Sequence, residues 1–316
     1  MVGSVIVYKD KIIGEGYHEE YGSNHAEVNA INSVIDKSLL TKSTIYVNLE
    51  PCSHFGKTPP CADLIIKHKI PKVVVGCIDT FSKVSGKGIQ KMRNAGIEVI
   101  TGVLNKESRD LNKRFFTFHE KKRPYIILKW AESKDGFIAP LDQKKPFWMT
   151  SKESKKLVHN WRSEEDSILI GRVTAEKDNP LLTVRKINGK NPTRIVIDRN
   201  LKLSKNLNLF NSESDTIIFN EKLSNKLTNI NYIKINFINL INNILEVLYE
   251  LNIQSLIIEG GTKTLQSFID KKLWDEARIF YTNIELSEGV YSPKIEGEII
   301  SSKEINEDLL EFIVPK

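Results

Sequence analysis

His25-Ala26-Glu27, Pro51-Cys52 and Cys61 lie in three separate stretches of the chain, and a metal can join them only if those stretches fold back on one another. One histidine and two cysteines form a three-ligand zinc set with a fourth position open. Zinc lowers the pKa of a bound water to about 7. Glu27, not needed as a ligand, can then move protons between that water and a leaving amine. His25, Cys52 and Cys61 as ligands, with Glu27 as proton carrier, make the working set of a hydrolytic deaminase acting on a nucleobase-like ring.

Each part alone is weak. His-x-Glu is most often a solvated helix start, and two cysteines nine positions apart are most often apolar packing. The neighbours change the balance. His25 follows the turn-like Gly22-Ser23-Asn24 and opens an amphipathic run over 26–35. Residues at i and i+2 do not share a helix face, which suits one role on the metal and another on the water. Pro51-Cys52 ends a strand-like run over 44–49, and Pro59-Pro60 precedes Cys61 at the head of a helix-like run over 62–67. A thiolate at a helix start is favoured by the dipole and by zinc.

At 316 residues, a prior of roughly 150 residues per domain predicts two domains. No run approaches the ~20 apolar residues of a membrane span. Met1 to Val7 reads as a strand with no basic stretch before it, unlike a signal peptide. Only three cysteines occur, two assigned to zinc, and Cys77 reads as a buried strand residue, so a cytoplasmic, disulfide-free protein is expected. The net charge of +6 comes from scattered lysines, which read as a solvated surface. No basic block interleaved with aromatics marks a nucleic-acid path.

The first domain, 1–121, reads as a hairpin (4–8 and 11–17, turning at Lys9-Asp10) followed by the His25 helix, the 44–49 strand and the Cys61 helix. A strand over 72–78, a helix over 88–95, a strand over 98–101 and a single helix over 106–117 complete an α/β sheet with helices on both faces. The charged run 119–124, ending in Pro124, reads as the boundary. The second domain, 122–316, has strands over 125–130, 167–170, 194–198, 216–219, 232–235, 255–259 and 278–282. Its helices follow Gly171 and run over 240–251 and 264–271; the asparagine-rich stretch 225–243 reads as surface loops and helix ends.

Two strand–glycine turns stand out in this half, Ile170-Gly171-Arg172 and Glu259-Gly260-Gly261-Thr262. Glycine lets backbone approach a ligand, and a following helix start attracts phosphate. Either turn alone is an ordinary way to turn a corner; together they favour a nucleotide cofactor. Glu259 ends an apolar strand, where a carboxylate faces the usual ligand crevice, although a solvated strand end is the plainer reading. Arg162 and Arg185 are suited to clamp a phosphate.

At this point the chain resembles the bifunctional riboflavin-biosynthesis deaminase–reductase family. The resemblance rests on Val2-Gly3-Ser4-Val5, His25-Ala26-Glu27-Val28-Asn29-Ala30, and the block from Leu49-Glu50-Pro51-Cys52-Ser53-His54 to Pro60-Cys61. In the second half it rests on Leu128-Lys129-Trp130-Ala131, Trp148-Met149-Thr150-Ser151, residues 178–185 and Ile258-Glu259-Gly260-Gly261. It implies a cytidine-deaminase-like α/β/α domain followed by a dihydrofolate-reductase-like α/β domain. The first would deaminate 2,5-diamino-6-(5-phosphoribosylamino)pyrimidin-4(3H)-one with one zinc ion per chain. The second would use NADPH to reduce the ribosyl group of the product to ribityl. By resemblance, His18, His54, Lys57 and Asp79 hold the pyrimidine or its phosphoribosyl arm. Lys129, Arg162, Leu182, Arg185 and Glu259 face the reductase substrate. Trp148, Thr174, Asp178 and the helix start Gly261, Thr262, Lys263 and Thr264 hold NADPH. A homo-oligomer acting on a small phosphoribosylaminopyrimidine, with neither nucleic acid nor membrane as partner, is implied as well.

Three departures from the family pattern accompany this reading. The family's N-terminal helix and Asn-Pro pair do not precede the Val-Gly strand, which starts here at Met1. Asp79-Thr80-Phe81 stands where the family has Asp-Pro-Asn, and Pro146-Phe147 precedes Trp148 where many relatives carry a serine. The first two motivate a second reading, a reductase whose zinc domain binds metal without turning over. A third, a nucleic-acid base deaminase with an accessory domain, is disfavoured by the long gap between Cys52 and Cys61.

Overall fold

The computed structural model describes residues 1–20, 22–55, 59–80, 85–143 and 147–316. The chain divides into two compact units, Met1–Lys121 and Lys122–Lys316. Lys57, Phe81 and Pro146, singled out above, lie outside the described residues.

The first unit begins with β1 (Gly3–Tyr8) and β2 (Lys11–Tyr17), then α1 (Ala26–Ser33), β3 (Thr44–Leu49), α2 (Cys61–Lys67) and β4 (Lys72–Cys77). It closes with α3 (Lys87–Asn94), β5 (Glu98–Thr101), α4 (Asn105–Leu111) and α5 (Lys113–Lys121). The β1–β2 turn places Lys9 and Asp10 both at positive φ, the backbone that matches strand twist in a two-residue hairpin. Strand order is β2-β1-β3-β4-β5, with β3, β4 and β5 parallel. β4 is covered on both faces, hence its unbroken apolar run. Val73 and Val75 join a core built with Ile31 of α1, Ile65 of α2 and Met92 of α3. Gly76 points the other way, where a Cβ would meet Ser108 of α4 at 2.2 Å. Cys77 is fully buried, as its strand setting implied.

Two helix expectations need correction. α1 stops at Ser33, leaving Ile35 exposed beyond it. The single helix over 106–117 is two helices, because Asn112 breaks it, its side-chain amide turning back to the Ser108 carbonyl at 3.4 Å. α5 then runs through the charged residues His119–Lys121 and ends before Lys122, which has φ 54°, and Pro124.

The second unit contains β6 (Tyr125–Glu132), β7 (Phe137–Ala139), α6 (Lys152–Glu164), β8 (Ser167–Gly171), α7 (Arg172–Asp178), β9 (Thr193–Ile197), β10 (Thr216–Asn220), β11 (Asn225–Lys226) and β12 (Ile230–Lys234). α8 (Leu240–Glu250), β13 (Ser255–Gly260), α9 (Thr262–Asp270), β14 (Glu276–Tyr281), β15 (Val290–Tyr291), β16 (Glu298–Ile305) and β17 (Asp308–Val314) follow. The main sheet has order β11-β12-β10-β9-β8-β13-β6-β14-β17-β16, parallel from β12 to β14 and antiparallel at its edges. Alternate residues of β6 feed opposite cores. Ile126, Leu128 and Trp130 pack with α8 and α9, whereas Tyr125 and Ile127 pack with Val158 and Trp161 of α6. Ile241, Ile244, Leu245 and Leu248 form the buried stripe of α8 at helical spacing.

α6 and the β16–β17 hairpin are additions to the sequence reading, and they are tied together. Asp308 at the start of β17 accepts the Ser151 N–H at 2.8 Å and the Ser154 hydroxyl at 2.6 Å, fixing the N-terminus of α6. The strand expected over 232–235 starts earlier, as β12 from Ile230, with Ile230 and Tyr232 buried.

Candidate active sites

The first unit brings His25, Cys52 and Cys61 together, with their ligand atoms all within 4.8 Å of one another. His25 caps α1 from an extended backbone, φ −71° and ψ 162°, and Glu27 lies in the first turn. His25 Nδ1 lies 3.5 Å from Cys52 Sγ and 3.3 Å from Cys61 Sγ. Cys61 is the first residue of α2, its N–H donating to Cys52 Sγ at 3.3 Å, and the Ala62 N–H reaches the Cys52 carbonyl at 3.1 Å. Hydrogen bonding from Cys61, opposed by burial, combines with His25 to pull the Cys52 thiol down to about 4, whereas contact with Cys52 and burial push Cys61 up. Two sulfurs this close share one proton unless a cation lies between them. One nitrogen and two sulfur donors at these separations thus fit a dication.

Glu27 is 3% exposed, and burial raises its pKa. It is therefore a carboxyl able to carry a proton nearer neutrality than an exposed glutamate. His18 stands edge-on to His25, ring centroids 5.3 Å apart, and its Nδ1 is 3.0 Å from the Asn24 carbonyl. Asp79 is buried just beyond β4, and His54 is half-buried two residues after Cys52.

One residue of this unit escaped the sequence reading. Glu50, 4% exposed and next to Pro51-Cys52, accepts backbone N–H groups from Asp79, Gly86, Gly88 and Ile89. Its sequence signals, a carboxylate at the end of an apolar strand and a place in the Leu49-to-Cys61 block, assign it no role.

In the second unit a cavity of about 920 Å³ opens at the C-terminal ends of β6, β8, β9 and β13. β8 and β13 are neighbours, so the two glycine turns lie side by side at its floor. Lys129, Arg162, Leu182, Arg185 and Glu259 all line it, as do Trp148, Thr174, Asp178 and Gly261 to Thr264. Gly260 has φ 143°, a backbone that side chains rarely adopt, and a Cβ on Gly261 would stand 3.2 Å from Thr174 Oγ1. The α9 start and the α7 face thus approach each other closely around the cavity wall.

Charge in the cavity is arranged differently from the expected arginine clamp. Arg162 is committed to Glu259, with Nη2 2.7 Å from Oε2 and Nε 3.2 Å from Oε1, while its Nη1 reaches the Thr183 carbonyl at 3.4 Å. Burial alone would raise the Glu259 pKa, but Arg162 and Lys129 overcome it and hold the carboxyl at about 2. Glu259 is therefore a buried, ionised group, not a solvated strand end. Burial lowers the pKa of Lys129. Arg185 bonds Thr183 Oγ1 at 3.1 Å, and its backbone N–H donates to His159 Nδ1 at 3.1 Å. Gln143 donates its side-chain amide to Asp178, a contact with no sequence signal.

A His/Cys metal cluster with a buried carboxylate on one sheet, and a ligand-sized cavity on a second parallel sheet, define a two-domain protein of cytidine-deaminase-like and reductase-like folds. The family described as RibD C-terminal domain matches residues 124–286, and that described as cytidine and deoxycytidylate deaminase zinc-binding region matches residues 1–77. The riboflavin biosynthesis protein RibD of Aquifex aeolicus is 42% identical over 306 residues, covering 95% of this chain and 82% of that protein. Its namesake from Bacillus amyloliquefaciens is 37% identical over 310 residues, 94% of this chain and 82% of that one. The crystal structure of a Thermotoga maritima diaminohydroxyphosphoribosylaminopyrimidine deaminase/5-amino-6-(5-phosphoribosylamino)uracil reductase superposes with a TM-score of 0.90 at 36% identity, covering 100% of this chain and 92% of that one. The chain belongs to the RibD family of bifunctional deaminase–reductases in riboflavin biosynthesis.

Proposed function

We propose that the first unit hydrolytically deaminates 2,5-diamino-6-(5-phosphoribosylamino)pyrimidin-4(3H)-one, and that the second reduces 5-amino-6-(5-phosphoribosylamino)uracil to its ribitylamino product. The observation that carries this reading is the convergence of His25, Cys52 and Cys61 beside the buried Glu27. His25, Cys52 and Cys61 would hold zinc, which would supply Lewis acidity at a water, and NADPH in the second unit would supply the hydride. Glu27 accepts a proton from the attacking water and delivers it to the departing amine nitrogen; the water oxygen stays on the ring carbon as the carbonyl, its second proton ends on the adjacent ring nitrogen, and the amino group leaves as ammonia.

In the second unit the cavity volume of about 920 Å³ suits a dinucleotide with a phosphosugar beside it. The α9 start, with Thr262 and Lys263, is suited to a cofactor phosphate, and Trp148 to a flat ring. Lys129 and Glu259 set a proton donor and a fixed negative charge at the ring-opened sugar, with Arg162 keeping Glu259 ionised. Cytoplasmic localisation and a homo-oligomer are proposed with this reading. Among the described residues no helix is long and apolar enough to cross a membrane.

Mass spectrometry of the diaminopyrimidinone after incubation with zinc-loaded protein tests the proposal. A deaminated product without NADPH, converted to the ribityl form with it, supports both steps. An untouched diaminopyrimidinone, with reduction of supplied deaminated compound, leaves a reductase with a non-turning metal domain.

A further inference from the structure

The buried carboxylate of Glu50 has no place in the chemistry above, yet it gathers more backbone donors than any catalytic group described here. Its Oε2 accepts from Asp79 at 3.3 Å and Gly86 at 2.9 Å. Its Oε1 accepts from Gly88 at 3.0 Å and Ile89 at 3.4 Å. Glu50 itself is fixed at the end of β3, its N–H on the Cys77 carbonyl at 3.0 Å. A Cβ at Gly88 would lie 2.1 Å from the Pro51 carbonyl oxygen, so α3 begins directly against the peptide before Cys52. Three consecutive residues therefore divide the work: Glu50 holds Asp79 and the start of α3, Pro51 abuts α3, and Cys52 enters the metal cluster.

We infer that Glu50 is a positioning residue of the deaminase site, its carboxylate locking the segment that carries Asp79 onto the Cys52 loop. This rests on the functional reading above, in which Asp79 meets the substrate. A carboxyl side chain suits the task because its two oxygens can each accept two backbone N–H groups, as they do here. The lock has no atom in the metal cluster, so loosening it displaces a substrate contact and spares the ligands.

Glu50→Gln tests the lock while keeping the shape, because one amide NH2 must then face backbone donors. The expected result is a KM for the diaminopyrimidinone raised about tenfold or more with kcat little changed. Zinc should stay at one per chain, and reduction of supplied deaminated compound should be unaltered. Amide exchange at Asp79, Gly86, Gly88 and Ile89 should quicken. Gly88→Ala attacks the same junction from α3 and should reproduce the KM effect, and it decides the matter if the glutamine variant does not fold. An unchanged KM, or an activity loss that tracks loss of zinc, overturns the inference. If the wild-type protein does not deaminate, the functional reading fails first, and unchanged amide exchange in Glu50→Gln then overturns the lock independently.

Discussion

Arg162 and Glu259 meet at two points in the wall of the second unit's cavity, and both side chains are about nine-tenths buried, 8% and 10% exposed. The arginine arrives from α6 and the glutamate from the end of β13, so the pair also ties a helix to the sheet. Breaking such a pair leaves one charge buried without its counterpart. Glu259→Gln is therefore expected to destabilise the second unit by about 3 kcal/mol and to lower its reductase kcat/KM. Urea denaturation followed at the second unit's transition, together with NADPH oxidation kinetics, checks both. Wild-type stability in the variant would mean that the pair contributes nothing net.

The charged surroundings of Arg162 predict two separable acid windows. His159 sits one helical turn before Arg162, and burial, helped by Arg162, Arg185 and Lys186 and opposed by Glu259, holds its pKa at about 4. Its neutral Nδ1 accepts the Arg185 N–H at 3.1 Å. A folded pKa below the ordinary 6.5 means stability that is complete above 6.5 and lost as pH falls towards 4. The Glu259 contribution, from a pKa of about 2 against the ordinary 4.5, is present above 4.5 and lost lower down. His159→Asn keeps an acceptor for Arg185 but cannot titrate. It should flatten the stability profile between 6.5 and 4, an effect of at most about 3 kcal/mol, and leave the lower window intact. An unchanged slope there would assign the acid sensitivity to other groups.

Metal removal should separate the two activities. Dialysis against a chelator is expected to abolish deamination and spare NADPH-dependent reduction, with zinc restoring the first. Glu27→Gln should keep zinc, because Glu27 is not in the ligand set, and slow deamination by about 10²-fold or more. Metal analysis alongside product formation distinguishes them. Deamination that survives in Glu27→Gln would move the proton transfer to another group.

The metal cluster was legible because its signals are local: an extended residue before a helix, a proline-cysteine pair ending a strand, and a cysteine opening the next helix. The glycine turns were legible for the same reason. The Glu50 lock was not, because its partners are main-chain amides 29 to 39 residues away, which carry no side-chain signature. The Arg162 partner was missed for a related reason, since Glu259 lies 97 residues further on. α6 is rich in lysine and serine, which dilutes its apolar stripe, although the cap of Ser151 onto the Ser154 N–H was a usable start signal. β16 is exposed along nearly its whole length and so lacks the alternation that marks a half-buried strand.

The seating of α1 supplies the last prediction. A Cβ at Gly16 of β2 would lie 2.4 Å from the Ala30 nitrogen and 2.7 Å from the Ala26 oxygen, both main-chain atoms of the helix that His25 caps. Backbone cannot give way as a flexible side chain can, so Gly16→Ala must push α1 off the sheet, at a cost of about 1–3 kcal/mol. The helix start carries a metal ligand and the proton carrier, so zinc affinity and deamination should fall together while reduction persists. Gly3→Ala is the matched control, because a Cβ there meets nothing within 4 Å. Zinc titration by competition with a chromogenic chelator measures the first effect directly. Equal affinity in Gly16→Ala and Gly3→Ala would show that the metal cluster holds its geometry without the close α1–β2 contact.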